Sequence, residues 1–118
     1  MLPSYQNSIE LLTRVADAKL FKELILQLNK DVSLIGIDIV FSEDYSPIQL
    51  KEELQKLIKE LIQNDYNSYT NLLYRIDVSE REMQNIESTN IDEYSENATF
   101  LILKRVWKKV WFRNNFSS

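Results

Sequence analysis

Two acids one helical turn apart, Glu93 and Glu96, are the closest approach this sequence makes to a catalytic constellation. A Glu-x-x-Glu pair puts two carboxylates on one helix face, where hard oxygen ligands can hold magnesium. All-helical enzymes that bind metal in this way need a second pair to complete the site, and none follows here. Helix capping also explains both acids. Asn90 and Glu93 make a box-like cap, and Asp92, Glu93 and Glu96 crowd an N-terminus, where the macrodipole favours negative charge. The remaining inventory is short. Of 118 residues none is histidine or cysteine, which removes the commonest general acid/base near neutral pH, thiolate nucleophiles, disulfides and thiolate zinc sites. Glu-x-x-His di-iron sites go with the histidines. A single glycine leaves no phosphate-cradling loop. The expectation is a protein that is not an enzyme, with no catalytic residue, cofactor or metal.

Binding chemistry is concentrated at the other end of the same segment. In FLILKRVWKKVWFRNNF, residues 100–116, the cations Lys104, Arg105, Lys108, Lys109 and Arg113 interleave with Trp107, Trp111 and Phe112. Such a stretch could neutralise phosphates and stack on unpaired bases, or lie on an anionic membrane surface. Charge distribution argues against both. The first 100 residues carry nine cations and all eighteen acids, the remainder five cations and no acid, for a net charge of −4. The field of the whole chain repels polyanions except at this pole, and acids first with cations last is the order a helix dipole prefers. Nucleic acid and membrane surface are therefore the disfavoured partners, and a protein partner or a second copy the favoured one. On a helical wheel Phe100, Ile102, Leu103, Val106, Trp107, Val110 and Trp111 span a broad apolar arc. Leu101 and Phe112 fall among the cations, where burial within one chain explains them least.

In NLLYRIDVSE, residues 71–80, Tyr74 and Arg75 leave the apolar face of a helix that Asp77 and Ser79 end. Arg75 can pair with Asp77 or with an acid on a following helix, which is ordinary helix-ending chemistry. Together with LKRVWKKVWFR, this segment resembles a small family of uncharacterised bacterial proteins without an assigned activity. The resemblance covers about the last half of the chain and supplies no functional residues.

The elements that must position these groups are helical almost throughout. Ser46, Pro47 and Gln49 open a helix over about 47–64 with a capping box, and Leu50, Leu54, Leu57, Ile58, Leu61 and Ile62 form its apolar stripe. Asp65 caps the next, with Tyr66, Tyr69, Leu72, Leu73 and Ile76 on one face. Ser79 and Glu82 start a short helix carrying Met83 and Ile86. A long helix lies within 5–30, with a break near Asp17 as the alternative, because Ile9, Leu12 and Val15 sit on a different face from Phe21, Ile25, Leu28 and Val32. The exception is SLIGIDIVFSEDYS, in which Ile37, Ile39 and Phe41 alternate with Asp38 and Val40. Gly36 ends a helix there, and the segment runs extended across the bundle or forms an edge that pairs with another copy.

These readings predict an all-α fold: a compact bundle of four to five helices with one extended apolar connection, about 34–45, in a single domain over residues 1–118. Its core is expected to draw on Leu54, Leu57, Leu61, Tyr69, Leu72, Leu73, Phe100, Leu103 and Trp107. The expected role is protein–protein interaction or structural support, with self-association as a dimer. Its surface would be Ile37, Ile39 and Phe41 or the C-terminal Leu101, Lys104, Arg105, Lys108, Lys109, Phe112 and Arg113. The lack of a signal-peptide pattern and of cysteine suggests the cytoplasm.

Overall fold

In a computed structural model that describes residues 5–116, the chain folds into six helices. They are α1 (Ser8–Asp17), α2 (Phe21–Leu34), α3 (Pro47–Asn64), α4 (Tyr66–Ile76), α5 (Glu80–Gln84) and α6 (Ile91–Phe116), and no strand occurs among the described residues. The all-helical expectation holds, with six helices in place of four or five. The added helix comes from a break in the N-terminal stretch, where two apolar stripes on different faces can both reach one core only if the chain turns between them.

Side chains cap every helix start except that of α2, which Leu20 precedes. Asn7 accepts from the Glu10 amide, Ser46 and Gln49 complete a reciprocal capping box, and Asp65 and Ser79 accept from the Ser68 and Glu82 amides. Asn90 accepts from the Glu93 amide at 2.8 Å. Three helix ends share a second device. Lys19, Gly36 and Asp77 adopt positive φ (61°, 85° and 68°) just past α1, α2 and α4. In each case the next amide, of Leu20, Ile37 or Val78, reaches back five residues to a carbonyl, at Val15, Val32 and Leu73. This is the Schellman arrangement, and the residue after each left-handed position is apolar and packs on the core. The chain is thus turned inward three times by one geometry.

Helix α6 is the axis of the fold. Its 26 residues rise about 39 Å, nearly all of the molecule's 40 Å longest dimension, and every other helix packs against it. Along its inner side Ala98, Ile102, Leu103, Val106, Trp107 and Val110 are buried. They meet Leu54, Leu57 and Ile58 of α3, Leu11, Leu12 and Val15 of α1, and Leu24, Ile25 and Leu28 of α2 in one continuous core. Each such leucine, isoleucine or valine contributes about 1.5–3 kcal/mol on burial. Of the expected core, Leu73 and Phe100 are only half-buried, at the edge toward α5.

The connection from α2 to α3 runs extended without a sheet partner among the described residues. Asn29 supplies what a neighbouring strand would. Its side chain accepts from the Phe41 amide at 2.8 Å and donates to the Phe41 carbonyl at 3.0 Å. This bidentate clamp lays the segment back along α2 and drives the Phe41 ring into the core.

Candidate interaction surface

The two expected surfaces fare differently. In the connection Phe41 is 2% exposed, so it anchors the segment and offers nothing to a partner. Ile37 is half-buried against the core, while Ile39 and Val40 remain open to solvent, Val40 at 77%. Alternation accounts for Ile37 and Phe41, which turn toward the bundle, and for Asp38 and Val40, which turn away; Ile39 departs from it and stays exposed.

On α6 most of the cations are already engaged. Lys104 meets Glu82 of α5 at 2.7 Å. Arg105 donates to both the carbonyl and the carboxylate of Asp77, at 3.1 and 3.3 Å, and so holds the turn after α4. Lys109 reaches Asp31 of α2, and Arg113 donates to the Gln27 side chain at 2.8 Å. Lys108 pairs with no acid among the described residues and is exposed. Leu101 is half-buried, on the face toward α5. The aromatic residues are committed as well. Trp107 is buried and donates its indole N–H to the Tyr5 hydroxyl at 3.3 Å. Trp111 is half-buried with Phe112 edge-on to it, ring centres 5.1 Å apart. The basic, aromatic tail is thus chiefly the last helix of the bundle.

The carboxylate that receives Lys109 was not anticipated. Asp31 is fully buried, with Arg75 of α4 and Lys109 of α6 each 3.4 Å away and the Gln27 amide at 3.3 Å. Three helices therefore meet around one acid. The signal in the sequence is that Asp31 falls on the buried stripe of α2 beside Leu24, Leu28 and Val32. Arg75 turns to this acid and leaves Asp77 to Arg105.

Tyr69 and Tyr94 form a second internal polar contact, hydroxyl to hydroxyl at 3.0 Å. Burial, reinforced by this hydrogen bond, pushes the Tyr69 phenol well above its ordinary value.

Glu93 and Glu96 lie exposed in the opening turns of α6, and no group of three or more potential metal-ligating acids gathers among the described residues. Concavity is found elsewhere. A groove of about 440 Å³ opens between α4 and α5, lined by Leu73, Tyr74, Val78 and Met83 with Asp77 and Glu80 at its edge. Across the 77–79 turn lies a second cleft of about 380 Å³ faced by Leu101, Lys104 and Lys108. No described helix is long and apolar enough to cross a membrane. Comparison of the chain with family models, with curated proteins and with solved structures finds no match.

Proposed function

We propose that this chain is a protein–protein interaction module that performs no reaction of its own, works in the cytoplasm and self-associates as a dimer. One observation carries the reading. Most α6 cations are paired within the fold, while large apolar side chains stay exposed: Leu34, Ile39 and Val40 around the α2–α3 connection, Tyr74 on the α4–α5 groove and Phe112 on α6, at 39–82% exposure. Exposed apolar side chains that gather in one place, as Leu34, Ile39 and Val40 do around a single connection, favour a contact surface, whereas scattered ones are ordinary. A nucleic-acid or lipid surface would need the cations instead, and would have to break their internal pairs to take them.

Light scattering at tens of micromolar protein tests the proposal. A mass of twice the chain is expected. A monomer with salt-sensitive binding to single-stranded RNA or anionic vesicles, lost on Lys108→Glu, would replace it with the rival reading.

A further inference from the structure

We infer that the groove between α4 and α5 receives α6 of a second copy of this chain. The inference rests on the self-association reading and assigns it a surface.

The groove is apolar at its floor, where Leu73, Val78 and Met83 meet, and it is flanked by Tyr74, 82% exposed. Its edge carries Glu80, which pairs with no cation among the described residues. A surface with the opposite character lies on α6. Leu101, Lys104, Lys108 and Phe112 follow at spacings of three and four, so they form one ridge along the helix; Leu101 and Lys104 face α5 of their own chain, and Lys108 and Phe112 are its exposed end. Lys108 in that ridge lacks an acid, and Phe112, one turn on, keeps 42% of its surface exposed. An unmatched acid beside an apolar trough thus has its counterpart in an unmatched cation beside an aromatic ring.

Position makes the two surfaces self-complementary. Asp77, Val78 and Ser79 line both the groove and the cleft in front of Lys104 and Lys108, so trough and ridge are neighbours separated only by that turn. A two-fold axis passing beside the turn sets each copy's ridge across from the other's groove. The contact then closes on itself as an isologous dimer, with Lys108 facing Glu80 twice. The open 37–40 segment offers no such match, since its one ionisable residue is Asp38.

The test is a charge exchange followed by sedimentation or light scattering, with circular dichroism to confirm retained helicity. Glu80→Lys and Lys108→Glu, each alone, set like charges against each other at both contacts and should weaken dimerisation at least about tenfold. An equimolar mixture of the two variants restores an opposite pair at both contacts and should recover the dimer, which a pairing within one chain could not do. Met83→Glu, in the trough, should also dissociate it. A dimer indifferent to these changes but dissociated by Val40→Asp overturns the groove assignment and leaves self-association standing. A wild-type monomer throughout overturns both.

Discussion

Helix α6 carries two charged sides that look alike in sequence and behave differently in the fold. Toward α5, Lys104 and Glu82 approach to 2.7 Å with half of each side chain in solvent. Toward α2 and α4, Lys109 and Arg75 stand farther from Asp31, at 3.4 Å, around a carboxylate that solvent does not reach. Distance alone would rank the first contact above the second. Burial reverses the order, because an exposed ion pair exchanges water for a partner at little gain, whereas a buried acid deprived of a cation has nothing to replace it.

The sharpest way to break this comparison is Lys109→Ala. It leaves Asp31 with Arg75 and the Gln27 amide alone, and thermal or denaturant unfolding should show a loss of about 3 kcal/mol. Asp31→Leu combined with Lys109→Met should recover much of that loss, since it removes the buried carboxylate and leaves unpaired only Arg75, which at 43% exposure water can solvate. If the single substitution costs no more than a surface change, Asp31 is not held as its geometry indicates.

The buried tyrosine pair extends the contrast to a neutral contact and gives it a pH dependence. With its phenol pushed upward in the fold, Tyr69 is protonated in both folded and unfolded chains below the ordinary tyrosine value of about 10. Above that pH the unfolded chain releases the proton and the folded one holds it. Stability contributed by the buried phenol is therefore complete below about pH 10 and declines as pH rises further. Tyr69→Phe should abolish that alkaline decline and, at neutral pH, cost about 1 kcal/mol for the lost bond to Tyr94. Unfolding midpoints across an alkaline series check both parts.

Legibility in the sequence follows the same division between local and long-range causes. The bounds of α3 and α4 are readable because Ser46, Pro47, Gln49 and Asp65 do their work within four residues of themselves. Gly36 announces the end of α2 for the same reason. The equivalent stops at Lys19 and Asp77 carry no glycine: Asp77 and Ser79 still mark the end of α4, whereas the separation of α1 from α2 shows only as a change of apolar face, which left a break near Asp17 as the alternative to one long helix. Asp31 with Arg75 and Lys109 was hidden by separations of 44 and 78 residues, and the groove by the angle between two helices that no single stretch encodes. A lysine in the left-handed region costs about 1 kcal/mol relative to glycine, so Lys19→Gly should raise stability by about that amount. Gly36→Ala should lower it, even though a Cβ there would meet nothing within 4 Å.

The smallest expected effect completes the comparison from its weak side. Lys104→Ala removes the 2.7 Å contact to Glu82, yet both side chains are 42–50% exposed, so each is resolvated when the other is deleted. A measured loss of about 0.5 kcal/mol or less is expected, with further weakening in high salt. Added salt should leave the Lys109 effect nearly unchanged, because the ions cannot enter around Asp31. Unfolding of both variants at low and high ionic strength therefore separates the two sides of α6 by sensitivity as well as by size. A Lys104 effect that matches Lys109 and ignores salt would mean that α5 shields its ion pair far better than the exposures of Lys104 and Glu82 imply.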